Sequence, residues 1–194
     1  MRTLVKKESN NVNNQRCETD SDVFDTLISQ LKACAKAKDL QKGRHVHAFI
    51  VRNGLLGKSI IIGNTLVNMY AKCGALAKAH EIFDDLPVKD VVSWNALIAG
   101  YAQQRQGHNA LKCFERMERE GFCHPNAVTF VGILNACGSS GALNTGENIH
   151  EEIIRRGLLK NDEIILGNAL VDMYAKCSML TKAQQVLDEL PLRD

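Results

Sequence analysis

Cysteine and histidine are the residue types in this chain that could bind a metal or act as nucleophiles. The seven cysteines are dispersed and include no Cys-x-x-Cys pair. An odd, scattered set of this kind favours neither a zinc site nor a disulfide framework. Cys34 and Cys137 occupy matching positions in LKAC and LNAC, and Cys73 and Cys177 do so in MYAKC. Repeated placement predicts small buried packing residues in a reducing compartment.

One histidine has the spacing found in zinc-dependent deaminases. His150 and Glu152 match the His-x-Glu half of that signature, but the second half, Pro-Cys-x-x-Cys, does not follow. His45 and His47 lie near no cysteine that would complete a metal site. The chain also has no glycine-rich loop that could cradle a phosphate. These patterns predict no catalytic residue, no metal, no cofactor and no small-molecule substrate, so an enzyme is not expected.

A 28-residue segment that occurs twice organises the chain. Residues 63–90 read GNTLVNMYAKCGALAKAHEIFDDLPVKD and residues 167–194 read GNALVDMYAKCSMLTKAQQVLDELPLRD, with 16 identical positions. Residues 31–56 are echoed in a similar way 103 positions later. Recurrence of this kind is typical of repeat architectures, so each local motif belongs to a repeated unit.

Composition favours helices and leaves the partner open. Of the 194 residues 45% are hydrophobic, while 5% are aromatic and three are prolines. This combination favours helix over sheet. No apolar run reaches the roughly 18 residues that a membrane-spanning helix needs. A net charge of +2 permits a nucleic acid as partner without arguing for one.

From about Phe24 the chain divides into five units. Their boundaries are 24–59, 60–90, 91–126, 127–163 and 164–194. Residues 1–23 are polar and are expected to form a disordered lead-in. Acidic residues make this segment a poor match to a transit peptide.

Each unit has the pattern of two helices. In the second unit, Leu66, Met69 and Tyr70 share one face of the first helix, and Gly74 offers a left-handed turn. Pro87 ends the second helix, because proline disfavours helix at the residue before it. A helix pair cannot bury both of its faces alone, so stacked neighbours would form one continuous core. The sequence therefore predicts an all-α protein, an α-solenoid of about five antiparallel helix pairs.

Tetratricopeptide repeats share part of this pattern, an Ala-x-x-x-Phe followed by proline at Ala79, Phe83 and Pro87. That family keeps a period of 34 residues and first-helix signatures that are missing here. The chain instead resembles the pentatricopeptide repeat family, and within it the plant organellar subclass with alternating long, short and standard repeats. NALVDMYAKC resembles a short repeat, VVSWNALIAGYAQQRQGHNALKCFERMEREG a standard repeat and TFVGILNACGSSGALNTGENIHEEIIRRG a long repeat.

The resemblance covers residues 24–194 in the order long, short, standard, long, short, and it implies a right-handed superhelix. Lys38 and Ser178 stand where the family usually has a turn glycine, and His124 adds one residue to the standard repeat. The last unit looks like an interior repeat without a capping unit. A piece of a longer array is therefore expected.

The resemblance implies binding of single-stranded RNA, one base per repeat, read by an early residue of the first helix and the last residue of the repeat. The implied pairs are Asn64 with Asp90, Asn95 with Asn126, and Asn168 with Asp194. An asparagine amide can donate to and accept from a Watson–Crick edge, and the partner can position it. By the family's code, Asn with Asp reads uracil and Asn with Asn reads a pyrimidine, cytosine before uracil. The implied track is 5′-N-U-Y-N-U-3′, with both long repeats unassigned.

The family also sandwiches bases between aliphatic side chains, which here would be Ile61, Val92 and Ile165. Lys72 and Lys176 occupy places near the RNA phosphates, and Gln103 fills that place in the third unit. By resemblance, the protein would act in a mitochondrion or chloroplast, in RNA processing or in specifying C-to-U editing sites. Editing or processing factors would then act in trans.

Ordinary structural explanations remain open for the same residues. An asparagine near a helix start is often an N-cap, Asp90 and Asp194 could be turn residues, and lone lysines usually lie in solvent. A helical array could also be a scaffold for protein–protein interaction. Regular Asn/Asp pairs in the groove favour RNA, whereas aromatic residues or clamp lysines would favour a peptide.

Overall fold

The structure is a computed structural model that describes residues 21–160 and 163–190. Within these ranges it contains ten α-helices, two short 3-10 helices (Leu56–Lys58 and Leu158–Lys160) and no strand. The helices are α1 (21–37), α2 (Leu40–Arg52), α3 (Ile60–Lys72), α4 (Leu76–Asp85), α5 (Val91–Gln103), α6 (Gly107–Glu120), α7 (Ala127–Ser140), α8 (Leu143–Arg155), α9 (Glu163–Lys176) and α10 (Leu180–Glu189). The predicted all-α solenoid is confirmed.

Two helices fall within each predicted unit, with small shifts at two boundaries. Residues 21–23 are already helical, so the lead-in is shorter than the predicted 1–23, and residues 1–20 lie outside the described residues. Helix α9 begins at Glu163, one residue before the expected start of the fifth unit. The types of the repeats, long, short or standard, stay a prediction.

The helices form two layers. In the first-helix layer (α1, α3, α5, α7 and α9), α3 packs on α5, α5 on α7 and α7 on α9. The second-helix layer (α2, α4, α6, α8 and α10) packs against it. Helix α3 buries nine of its 13 residues, whereas α2 and α8 bury three of 13 each. A helix between two neighbours must be apolar on more than one face, while a surface helix needs one apolar stripe.

The turn between the two helices of each unit contains one residue in the left-handed conformation. The φ angles at these residues are 54° at Lys38, 78° at Gly74, 57° at Arg105, 70° at Gly141 and 62° at Ser178. The left-handed turn predicted at Gly74 is confirmed. Three units hold the same turn without glycine, which costs about 1–2 kcal/mol for each L-residue. Stacking of the two helices therefore imposes the turn regardless of local preference.

Three junctions between units carry a histidine–tyrosine hydrogen bond that joins the two layers. His47 Nδ1 lies 3.0 Å from the Tyr70 hydroxyl, and His150 Nδ1 lies 3.0 Å from the hydroxyl of Tyr174. A third bond of 2.8 Å links His80 of α4 to the first-helix layer. Burial lowers the pKa of His47 and of His150, so the neutral rings are the favoured forms at these junctions.

Candidate nucleic-acid interface

Asn64 and Asn95 lie inside helices and do not cap them. Asn64 is the fifth residue of α3, whose N-cap position is held by Ser59. Asn95 is the fifth residue of α5. The Asn64 side chain is deeply buried, with the residue only 7% exposed. The N-cap explanation that the sequence left open is therefore wrong for both asparagines.

The last residues of the units do the capping instead. Asp90 precedes α5, and its carboxylate accepts a hydrogen bond from the Ser93 backbone N–H at 2.9 Å. Asn126 precedes α7, and its Oδ1 accepts from the Thr129 backbone N–H at 3.1 Å as part of a capping box. Each side chain satisfies one of the otherwise unpaired N–H groups at a helix start. A capping residue is thereby fixed in place at the end of the second unit and of the third, whereas Ser59, at the end of the first, makes no side-chain capping bond.

The capping residues also hold the asparagines of the units that they end. Asn64 Nδ2 donates to both carboxylate oxygens of Asp90, each at 3.0 Å, and Asn95 Nδ2 donates to Asn126 Oδ1 at 3.2 Å. These bonds link residues 26 and 31 positions apart. Since a carboxylate only accepts, Asp90 fixes the Asn64 amide with its nitrogen toward Asp90.

The carbonyl oxygens of the two asparagines differ. Asn64 Oδ1 is buried and has no hydrogen-bond partner within the described part of the chain. Asn95 Oδ1, in contrast, accepts from the Thr129 hydroxyl at 2.7 Å. A buried acceptor without a donor costs about 1–3 kcal/mol, so the first pair is poised to gain from an incoming donor.

The third predicted pair is described only in part. Asn168 lies on α9 and its side chain is exposed. Its predicted partner, Asp194, lies outside the described residues. The pairing of these two residues therefore remains a prediction.

Exposed aliphatic side chains recur in four of the five units, three residues before the predicted reading position. Ile61 is 57% exposed, Val92 56% and Ile165 63%. Val128 of α7 is 61% exposed in the same register, a residue that the sequence prediction missed. The sequence signal that could have identified Val128 is its position three residues before Val131, the same spacing that separates Ile61 from Asn64. Together they form an aliphatic row along the first-helix layer.

A groove of about 610 Å³ runs along α5, α7 and α9. Its lining includes Gln103, Lys176 and Val128, so two of the predicted phosphate-side positions share a surface with the aliphatic row. Arg105 lines the groove as well. The sequence prediction missed this cation because Arg105 stands in the turn, two residues beyond Gln103.

The two lysines predicted near the phosphates differ in their surroundings. Lys72 ends α3 and is exposed to solvent. Lys176 ends α9 and forms an ion pair of 2.6 Å with Asp172, one turn earlier in the same helix. The charge of Lys176 is thus partly neutralised.

The side chains with a possible catalytic spacing are engaged in ion pairs and hydrogen bonds. Glu152 pairs with Arg155 and Arg156 at 2.5 Å each, and these guanidinium groups lower its carboxyl pKa to about 2. His150 of the same His-x-Glu spacing is the residue bonded to Tyr174. Among the described residues, no group of three His, Cys, Asp or Glu is arranged to hold a metal ion. Nor is any described helix long and apolar enough to cross a membrane.

Two of the four repeat-equivalent cysteines are buried as predicted, and the other two are only half-buried. Cys34 and Cys137 are buried, and their equivalents Cys73 and Cys177 are half-buried. Burial raises the pKa of Cys137 to about 12, which keeps this thiol protonated and a poor nucleophile. Cys17 lies outside the described residues.

Family models match three stretches of the chain. The PPR repeat family model matches residues 89–139, and the PPR repeat model matches residues 64–91 and 168–194. The chloroplastic pentatricopeptide repeat-containing protein CRR2 from Arabidopsis thaliana is 41% identical over 185 residues, which is 92% of this chain and 27% of CRR2. A putative mitochondrial pentatricopeptide repeat-containing protein of the same plant is 39% identical over 168 residues, 87% of this chain and 26% of that protein. The chain thus spans about a quarter of the length of these relatives.

Solved structures give the same fold. The crystal structure of the pentatricopeptide repeat protein PPR10 from maize matches with a TM-score of 0.62 and 27% identity, over 84% of this chain and 24% of PPR10. PPR10 in complex with an 18-nt psaJ RNA element matches with a TM-score of 0.66 and 20% identity, over 79% of this chain and 22% of that one. Repeat models, relatives and structures agree: the chain belongs to the pentatricopeptide repeat family.

Proposed function

We propose that this chain binds single-stranded RNA and reads one base per unit, in organellar RNA processing or in the recognition of C-to-U editing sites. The observation that carries the proposal is the buried Asn64–Asp90 pair. Its amide is fixed by the carboxylate, and its buried carbonyl oxygen lacks a partner among the described residues. PPR10, a protein of this family, has been solved in complex with RNA. The names of the relatives as chloroplastic and mitochondrial support an organelle as the compartment.

The Asn64–Asp90 pair suits uracil. The Watson–Crick edge of uracil carries one N–H donor between two carbonyl acceptors. The Asn64 carbonyl, which is buried and lacks a donor among the described residues, would accept from that N–H once the bound base reaches it, and an amide hydrogen that Asp90 does not engage would donate to a uracil oxygen. By the same argument, Asn168 with Asp194 would read uracil in the fifth unit.

The Asn95–Asn126 pair suits cytosine better. The Asn95 carbonyl already accepts from Thr129, while one of the two Asn95 amide hydrogens remains free to donate. Cytosine presents the acceptors N3 and O2 on its edge, so a donor is the group that it requires. Ile61, Val92, Val128 and Ile165 would pack against the bases, and Lys72 and Lys176 would lie near the phosphates.

The groove favours RNA over a peptide as its occupant. Its lining combines the aliphatic residues Val128 and Val131 with small, polar and cationic residues and contains no aromatic side chain. Peptide grooves more often use aromatic or apolar pockets. We therefore propose that the chain is a binding module without catalysis of its own. Editing or processing factors would act in trans on the RNA that it holds.

Titration of a fluorescently labelled oligonucleotide tests this proposal. We expect the 194-residue chain to bind single-stranded RNA weakly, with affinity that falls as salt rises. The variant Asn64→Thr should change the base ranking opposite the second unit from uracil toward guanine, by about 5- to 150-fold in relative affinity. Circular dichroism of the variant would establish that it is folded.

Two outcomes would count against the proposal. One is equal affinity for duplex and single-stranded RNA. The other is a folded Asn64→Thr variant with an unchanged base ranking. Because Asn64 is not an N-cap, the ability of threonine to cap a helix could not explain such a result.

A further inference from the structure

A hydrogen bond crosses the boundary between the third and fourth units. Thr129 is the third residue of α7 and is fully buried. Its hydroxyl oxygen lies 2.7 Å from Asn95 Oδ1 and 3.1 Å from Asn126 Oδ1, and it accepts from the Asn126 backbone N–H at 3.1 Å. A hydroxyl has a single hydrogen to donate. The shorter contact assigns that hydrogen to Asn95, because Asn126 Oδ1 already accepts from Asn95 Nδ2 and from the Thr129 backbone.

The equivalent hydroxyl at the preceding junction is used differently. Ser93 is the third residue of α5 and is also fully buried. Its hydroxyl donates to the Asp90 backbone carbonyl at 2.8 Å. No described group then donates to Asn64 Oδ1, which remains buried and unpaired. Both junctions have a side-chain N-cap, but only α7 has a complete capping box, and only there is the asparagine carbonyl occupied.

We propose that this third residue of the following unit is a specificity-determining residue for base reading. Thr129 occupies the Asn95 carbonyl and disfavours a base that must donate to it, such as uracil. Ser93 leaves the Asn64 carbonyl without a donor, so such a base can supply one. A reader therefore consists of three residues, the last of which belongs to the next unit. This inference rests on the proposed RNA-binding function.

The expected effect is a change in a ratio of affinities. A carbonyl oxygen has two lone pairs, so the Thr129 hydroxyl competes with an incoming N–H without excluding it. The amide of Asn95 is untouched by Thr129 and continues to donate. Removal of the hydroxyl should therefore raise the affinity for uracil and leave the affinity for cytosine nearly constant.

Thr129 also has a structural role, and the chain offers controls that separate the two. Thr129 completes the capping box of α7, so its loss also weakens the helix start. A purely structural role would lower the affinity for all bases together. Ser93→Ala removes the matching hydroxyl where it does not touch the asparagine. It should leave the uracil-to-cytosine ratio opposite the second unit within about twofold, well below the effect of a base contact.

The test uses the 194-residue chain and four single-stranded oligonucleotides that differ only at the base opposite the third unit. Fluorescence anisotropy gives the four affinities. Thr129→Val, which keeps the side-chain shape, should raise the uracil-to-cytosine ratio by about fivefold or more, the lower end of the effect of one base contact. Thr129→Ser keeps the hydroxyl and should retain the wild-type ratio. A folded Thr129→Val with an unchanged ratio overturns the proposal.

A second variant covers the case in which Thr129→Val does not fold. Asp90→Asn with Ser93→Thr rebuilds the third-unit arrangement around Asn64. It should lower the uracil-to-cytosine ratio opposite the second unit by about fivefold or more relative to Asp90→Asn alone, and equal ratios overturn the proposal.

Asn95→Ala separates failure of this inference from failure of the proposed function. If Asn95→Ala abolishes base discrimination and Thr129→Val does not alter it, only the inference fails. If the wild type does not discriminate between bases at either unit, both fail.

Discussion

The two layers of the solenoid have the same helical fold but opposite chemistry. Six of the seven ion pairs of lysine or arginine between described side chains lie in the second-helix layer and the ends of its helices, and the first-helix layer has one, Lys176 with Asp172. Arg116 of α6 illustrates the second layer. It pairs with Asp84 of α4 at 2.6 Å and lies over the rings of Phe83 and Trp94.

This difference shows how the protein separates stability from recognition. Charged links between units are kept on one layer, so the groove side of the other can present amides and aliphatic side chains. The first-helix layer nevertheless supplies most of the buried core. The proposed recognition residues Asn64 and Asn95 thus stand on the more deeply buried helices, which favours precise placement of a hydrogen-bonding edge.

The largest difference between the layers should appear in a matched pair of leucine truncations. Leu66 of α3 is fully buried and Leu180 of α10 is 70% exposed. Leu66→Ala should lower the free energy of unfolding by about 3 kcal/mol, because it opens a cavity in the core. Leu180→Ala should change it by less than about 0.5 kcal/mol. Urea denaturation followed by circular dichroism measures both, and similar losses would contradict the difference in burial between these two positions.

A smaller effect is expected in the turns that join the layers. Ser178 adopts φ 62°, and Ser178→Gly relieves strain at some entropic cost in the unfolded chain. A net gain of about 0.5–1 kcal/mol in the free energy of unfolding is expected. Gly141→Ser is the reverse control, because a Cβ at Gly141 meets nothing within 4 Å and only backbone strain is added. A loss of stability in Ser178→Gly would show that the turn is held by a contact of the serine.

The smallest effect should come from acidification, since His47 and His150, two of the three histidines that join the layers, are only partly buried. Burial lowers the pKa of His47 and His150 below the ordinary value of 6.5. As pH falls below 6.5, the unfolded chain therefore binds more protons than the folded chain. The stability that the two neutral histidines contribute is lost as the pH falls from 6.5 through their folded-state pKa values. Urea midpoints should be lower at about pH 5 than at about pH 7.5. The double variant His47→Gln, His150→Gln should show a shallower dependence, and an equal slope would assign the effect to other groups.

Much of this arrangement follows from residue types at repeat spacing. The helix pairs, the left-handed turn at Gly74 and the pairs of Asn64 with Asp90 and Asn95 with Asn126 were all predictable. These features depend only on local periodicity and on residue types that recur from unit to unit, and both can be read from the sequence. Sequence could not decide whether Asp90 was a turn residue or a reader, because both roles use the same short side chain. The structure gives it both bonds at once.

Features that depend on how neighbouring units meet were missed. The Thr129–Asn95 bond joins residues 34 positions apart and depends on which of several acceptors one hydroxyl selects. Val128 was not predicted because its unit has Val131, not an asparagine, at the position equivalent to Asn64. Arg105 did so because its left-handed turn carries no glycine to mark it.

The bond from Thr129 to Asn95 has a consequence for anyone who recombines such proteins. A splice at the helical boundary moves residues 91–126 as one block and leaves Thr129 behind in the host. The transplanted asparagine would then meet whatever side chain the recipient provides, and its base preference would change although neither of its own two residues had been altered. A block from 94 to 129 carries Asn95, Asn126 and Thr129 together. The proposed base-reading block, residues 94–129, therefore begins and ends three residues after the structural unit, residues 91–126.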